Sequence, residues 1–161
     1  MTDISSMIDA LSRPSIRDRM AAAAALGKSG NPSATAPLIH ALSDPHPRVR
    51  RECIHALGRL GDSDAVPSLI AAIANADTET RIAGIAALGR IRDPRAIPSL
   101  ISCLKDSDDR VRTGAADVLG RLGDPRAIGP LETLGSDPFS GVRESADAAI
   151  AKIRKRRVSH G

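Results

Sequence analysis

The sequence predicts an all-α repeat fold of about ten helices, arranged as antiparallel pairs stacked at a 31-residue period. Three observations predict it. Residues 87–100, ALGRIRDPRAIPSL, and residues 118–131, VLGRLGDPRAIGPL, are nearly the same text 31 residues apart. Leu26, Leu57, Leu88, Leu119 and Ile150 keep that spacing, and Gly27, Gly58, Gly89 and Gly120 follow the first four directly. Arg19, Arg50, Arg81, Arg112 and Arg143 stand seven residues before the aliphatic positions, while Leu38, Leu69, Leu100 and Leu131 stand eleven after the glycines. Independent columns in one register mark units that bury their apolar faces on their neighbours.

Taken in order, the chain reads as a half unit (3–12), four units (13–42, 43–73, 74–104 and 105–134) and a capping helix (138–155). A flexible basic tail is expected over 156–161, and residues 1–155 form one domain. The half unit is a lone second helix, since Met7, Ile8 and Leu11 align with Leu38, Ile39 and Leu42. The first helix of a unit, as in PRVRRECIHALGRL (47–60), sets Val49, Cys53, Ala56, Leu57 and Leu60 on one stripe, at the spacing of a buried helical face. Gly61 closes it, where a left-handed cap is easiest for glycine. The second helix opens at Asn31-Pro32, Asp62-Ser63, Asp93-Pro94 or Asp124-Pro125. A short polar side chain there caps orphan N–H groups, and proline next to it gives up no hydrogen bond. Ile97, Leu100, Ile101 and Leu104 then point inward, with Pro98 in the opening turns. In the fourth unit Leu134 comes one residue earlier than Leu104, and GSDPFSG (135–141) follows. Phe139 there is read as stapling down the last helix.

Composition bounds the function. With 42% hydrophobic residues the chain builds a real core, but with one Phe and no Trp or Tyr that core is aliphatic and alanine-rich. No run of about 18 apolar residues offers a membrane span. The opening MTDISSMIDALS carries Asp3 and Asp9 and no basic segment, which argues against a secretory signal. Cys53 and Cys103 lack a CxxC spacing, so neither a disulfide framework nor a zinc site is suggested and a cytoplasmic setting is expected. The net charge of +4 is local. Residues 151–157, AKIRKRR, hold five of the 23 basic residues, leaving 18 against 19 acidic ones elsewhere.

The stretch DPHPRVRRECIHALGRLGDSDAVPSLIAAI (44–73) and its three companions resemble HEAT repeats, and most of all the short phycobilisome-lyase type, over essentially the whole chain. The resemblance implies a right-handed α-solenoid, with first helices on the convex side and second helices lining a concave groove. It also carries an alternative function, that of a bilin lyase-like subunit or a chromophore-handling chaperone.

Residues that break the columns are the candidates for chemistry, because stacking explains those that keep them. His40 and His55 break their columns, but neither has a His or Cys at metal-ligand spacing. Neither a Gly-rich phosphate loop, a GxSxG nor an HExxH is present. Neither catalytic residues, metal ligands nor a cofactor site are therefore assigned. The arginine column reads as a structural ladder, with Asp62, Asp93 and Asp124 as its candidate partners; a row of phosphate contacts is the other reading. Arg95 and Arg126 sit in the first turns of second helices, where the macrodipole disfavours a cation, so an external anion is one reading of them. Arg154, Lys155 and Arg156 in the tail are further anion candidates, and nucleic acid bound through that tail is a second alternative. Aromatic stacking platforms for single strands are missing.

The groove is the main candidate. His40, Ser68, Ala71, Ser99, Ser102 and Thr133 fall on the outward side of second helices, a small-sided and nearly uncharged surface. Five helices spaced by about 9 Å give a face on the order of 800 Å², one partner's share of an ordinary protein interface. The expected function is a non-catalytic scaffold or adaptor that binds a protein partner there, as a monomer or weak homodimer.

Overall fold

Each repeat folds where its apolar spacing and caps direct. The computed structural model describes residues 3–74 and 76–159. Among these the regular structure is ten α-helices joined by short 3₁₀ turns, and they divide into two compact units, Met1–Ile91 and Arg92–Gly161. The first unit holds α1 (Ile4–Ala10), α2 (Ile16–Ser29), α3 (Thr35–His40), α4 (Pro47–Leu60), α5 (Val66–Ala74) and α6 (Thr78–Ile91). In it α4 packs between α2 and α6, α1 lies on α2, α3 on α4 and α5 on α6. The second unit holds α7 (Ile97–Cys103), α8 (Asp109–Leu122), α9 (Ile128–Glu132) and α10 (Ser140–Ser159). There α8 packs on α7 and α10, and α9 lies on α10.

The columns are the core. Leu26, Leu38, Leu57, Leu69 and Leu88 are fully buried in the first unit, and Leu100, Leu119 and Leu131 in the second. The glycine column sets helix-to-helix distance. A Cβ built on Gly58 would lie 2.9 Å from the Cα of Ala87, and one on Gly120 would lie 2.8 Å from the Cα of Ala149. Those neighbouring atoms are backbone and cannot swing aside, so the helices approach as closely as bare glycine allows.

Caps mark the helix ends. The side chains of Ser15, His46 and Asp108 accept from the N–H groups of Asp18, Arg48 and Arg110 at the starts of α2, α4 and α8. Gly30, Gly61 and Gly123 close the same helices with φ of 65°, 71° and 79°. After α6 the equivalent residue is Arg92, which holds φ at 61°, a conformation that costs a side-chain-bearing residue about 1 kcal/mol.

Second helices begin more tightly than the sequence reading expects. Asn31, Asp62, Asp93 and Asp124 each cap a 3₁₀ turn by accepting from the N–H two residues on, and α3, α5, α7 and α9 follow. In each turn a buried alanine (Ala34, Ala65, Ala96 or Ala127) points into the core. The lost register of the fourth unit has the same cause. α9 ends at Glu132 and a 3₁₀ turn over Thr133–Ser136 takes over. Winding at three residues per turn brings Leu134 directly beneath Leu131, so both are buried.

The expected flexible tail is corrected in part. α10 continues through Ser159, because long basic side chains are good helix formers and suit a helix C-terminus. His160 and Gly161 lie outside the described residues. Among the described residues no helix is long and apolar enough to cross a membrane.

Candidate functional site

The arginine column is occupied by the fold. Arg19 Nε donates to Asp44 Oδ2 at 2.6 Å and its Nη2 to Oδ1 at 3.1 Å, while Nη1 reaches the carbonyls of Arg13 and Pro14. Arg50 Nη1 donates to the carbonyls of Asp44 and Pro45, so Asp44 joins two rungs. Arg81 Nη1 donates to the carbonyl of Ala76. The second unit repeats the arrangement. Arg112 holds both carboxylate oxygens of Asp137 at 2.7 and 3.0 Å, and Arg143 Nη1 takes the Asp137 carbonyl at 2.6 Å. Arg112 is 8% exposed, and the half-exposed ring of Phe139 lies over its guanidinium, 5.7 Å to the centroid. Phe139 therefore covers an ion pair instead of stapling α10 through a buried ring.

The acids of this ladder differ from those expected. Asp44 and Asp137 lie 25 residues after Arg19 and Arg112, and this offset is a signal present in the sequence; Asn75, the second repeat's equivalent, lies outside the described residues. Asp62, Asp93 and Asp124 work as helix caps instead. Asp62 accepts from the Thr35 hydroxyl at 2.7 Å as well as from the Asp64 N–H. The hydrogen bonds from Arg112 hold the Asp137 carboxyl below its ordinary range. For Asp44 burial pushes upward, but the bonds from Arg19 and from the His46 N–H outweigh it and the carboxyl is again held low.

Arg95 and Arg126 have local partners. Each grips the cap carboxylate two residues before it, Asp93 or Asp124, with its closest contact at 2.7 Å. That carboxylate offsets the macrodipole penalty, so an external anion is not needed to explain either arginine. In the tail, Arg154 pairs with Glu132 at 2.9 Å, and Arg156 Nη1 donates to the carbonyls of Arg121 and Leu122 at 2.7 and 3.2 Å. Lys155 lines a concavity with Arg156, Lys152, Arg121 and Gly120.

The residues expected on the outward side of second helices differ in exposure. In the first unit His40 ends α3 exposed, Ala71 is exposed on α5, and Ser68 is half-buried beside it. His40 also borders a concavity of about 430 Å³ with Ile8, Leu11, Pro37, Ala41 and Pro45. In the second unit Ser102 is exposed on α7 with Ser99 half-buried, and Thr133 is exposed after α9. The hydroxyls of Ser102 and Thr133 donate to the carbonyls of Pro98 and Pro130, so they present methylene and methyl groups more than free donors.

Reactive groups are muted. Burial pushes the Cys53 thiol up to about 12, which keeps it protonated and non-nucleophilic. Burial lowers the His55 imidazole pKa, so the ring is neutral at pH 7. Among the described residues no three His, Cys, Asp or Glu side chains gather as a metal site.

Comparison with known proteins agrees with this architecture. The family model for HEAT repeats matches residues 4–88 and 66–151. Among solved structures, the complex of CpcE and CpcF of phycocyanin lyase from Nostoc sp. PCC7120 is similar with a TM-score of 0.83 and 27% identity, over 98% of this chain and 67% of that one. A designed armadillo repeat protein in complex with the peptide (KR)4 is similar with a TM-score of 0.75 and 18% identity, over 93% of this chain and 81% of that one. No curated protein matches the sequence. Helix pairs at a 31-residue period, glycine-to-alanine stacking contacts and a family match over residues 4–151 together establish that this chain belongs to the HEAT-repeat family.

Proposed function

We propose that the chain is a non-catalytic scaffold or adaptor that holds a protein partner on the exposed side of its second helices. One observation carries this reading: the strongly patterned residues are spent on stacking, capping and the arginine ladder, while His40, Ala71, Ser102 and Thr133 are exposed and bound to no neighbouring repeat's side chain by the ladder or the caps. Small side chains let a partner approach the helix backbone, where shape complementarity rather than charge selects it. The likeness to the CpcE and CpcF complex supports it, because there a solenoid of this type is found with a protein partner.

The test is capture from extract of the source cell, identification of the retained protein, and measurement of its affinity for the wild type and for Ala71→Glu and Ser102→Glu. Each substitution is expected to weaken capture about tenfold or more by leaving a buried charge unpaired, while stability shifts by no more than about 0.5 kcal/mol, as for an ordinary surface change. Unchanged affinity in both variants would move the site off these helices. A second reading, a bilin lyase-like subunit or chromophore-handling chaperone, is supported by the same likeness. It predicts that a linear tetrapyrrole changes its absorption spectrum on titration with the purified chain.

A further inference from the structure

We infer that the outward face of α2, α4 and α6 is a second docking surface, one that takes an acidic-flanked amphipathic helix from a partner other than that of the second helices. Gly27 and Gly58 hold the three helices close: a Cβ on them would lie 2.6 and 2.9 Å from the Cα atoms of Ala56 and Ala87. Opposite the buried Leu26, Leu57 and Leu88 run stripes at 17, 20, 24 and 28, at 48, 51, 55 and 59, and at 79, 82, 86 and 90. They follow helical spacing and share the 31-residue register. At about 9 Å per helix they lie side by side as one surface about 18 Å across.

That surface has a short-chained centre and cationic edges. Met20, Ala24, Ile82 and Ala86 are half-buried in its middle, around a half-buried His55. One edge carries exposed Lys28, Arg59 and Arg90, and the other exposed Arg17 and Arg48 with Glu79. Acids stand nearby: Arg59 pairs with Glu52 at 3.3 Å, Arg51 with Asp77 at 3.6 Å, and Asp18 follows Arg17. The cations outnumber them. Burial first, and then Arg59, Arg90 and Arg51, lower the His55 pKa against the pull of Glu52, so cations of two helices bear on the centre.

The repeat does not require such a centre. In the second unit the column of Ala24, His55 and Ala86 holds Asp117 on α8, and the column of Met20, Arg51 and Ile82 holds Glu144 on α10. The edge of Lys28, Arg59 and Arg90 recurs there as Arg121 and Lys152, as expected where a cation complements a helix C-terminus. Only the first unit combines that edge with a centre free of carboxylates on its stripes.

The spacing selects the occupant. The two edges stand eleven residues apart along each helix, about 16 Å at 1.5 Å per residue, and a helix with its side chains is about 10–12 Å across. A helix laid over α2, α4 and α6 therefore fits between the edges, with its apolar side on the centre and glutamates on both flanks reaching the cations. Nucleic acid fits less well, because its phosphates ask for a continuous cationic track and this centre is mostly apolar. An anionic membrane fits less well too, because Ala24 and Ala86 are too short to enter it.

The experiment is fluorescence anisotropy on the full chain with a labelled helical peptide that carries Leu and Ala on one face and Glu on both flanks. About 18 residues let it cross three helices at 1.5 Å per residue. Counter-probes are the same composition in scrambled order, a 12-base-pair duplex DNA and phosphatidylglycerol vesicles. Lys28→Glu/Arg90→Glu is compared with Arg121→Glu/Lys152→Glu, the same column and charge change in the other unit. Ala24→Asp adds the carboxylate that Asp117 supplies there, circular dichroism melts check folding, and Lys28→Gln/Arg90→Gln is a milder form. The first pair and Ala24→Asp are each expected to weaken peptide binding about tenfold or more, and the control pair about twofold or less, the difference between a local site and general attraction. Equal losses in both pairs, no peptide binding at low salt, equal binding of the scrambled peptide, or tighter binding of DNA or vesicles would each overturn the site. All of these variants leave the second helices untouched, so this surface and the partner face proposed there fail separately.

Discussion

At the residue scale, the side chains that recur most faithfully are the ones the backbone uses. Asp137 accepts from Arg112 and from the Phe139 N–H while its own carbonyl accepts from Arg143, so one residue closes a turn and ties α8 to α10. Because its folded carboxyl is held below the ordinary value of about 3.9, its contribution is complete above that pH and is lost as pH falls through the depressed value. Asp137→Asn is therefore expected to lower the melting temperature at pH 7 and to flatten its decline between about pH 4 and pH 2. Parallel melting curves for both proteins down to pH 2 would contradict this. Arg92 tests the backbone alone. Arg92→Gly relaxes a φ of 61°, and it should raise the melting temperature by roughly 2–4 °C, as about 1 kcal/mol does in a chain of this size. The loss of one 3.3 Å surface bond to the Arg121 carbonyl is too small to reverse that sign.

The arginine column was legible from sequence because a guanidinium tolerates few substitutes at a buried turn. Its partners were not, because Asp62, Asp93 and Asp124 form the cleaner column. Those acids recur because they cap, a role that needs only the next two residues. The ladder acids recur because of a contact made 25 residues away, which only the folded turn reveals. Arg95 and Arg126 misled for a related reason: the macrodipole argument omits a carboxylate two residues upstream, which the 3₁₀ turn brings within 2.7 Å.

At the element scale, helix spacing is governed by single atoms. Gly58→Ala gains about 1 kcal/mol of helix propensity, yet its methyl would meet the Ala87 backbone at 2.9 Å. Overpacking of that kind costs about 1–3 kcal/mol, so the net effect is expected to be destabilising in a thermal or urea melt. Adding Ala87→Gly should recover only part, because the offending Cα remains. A more stable single variant would show that the helices separate at little cost. The cap at Gly61 was legible as a helix end. The 3₁₀ openings were not, since capped first turns of α and 3₁₀ winding share the same residues.

At the scale of the whole molecule, repetition separates what builds the fold from what is free to recognise. The separation is visible where the columns change. In α10, Asp147 stands exposed in the column where Ala23, Ile54, Ile85 and Ala116 are buried, and Ala151 replaces the stacking glycine. The stacking of the repeats within each unit was legible because each column is written four or five times. The proposed site can be drawn from the sequence only as a face, because the residues assigned to it, such as His40 and Ser102, keep no column.

The most direct test of the central claim is a scan of single substitutions over the whole chain, read in parallel for folded abundance and for capture of the identified partner. The account predicts that changes in the leucine, glycine and arginine columns lower both together, whereas changes at Ala71, Ser102 and their exposed neighbours on second helices lower capture alone. If the capture-only positions fell instead on the first helices, or if no position separated the two readings, the account of the second helices as the recognition surface would be wrong.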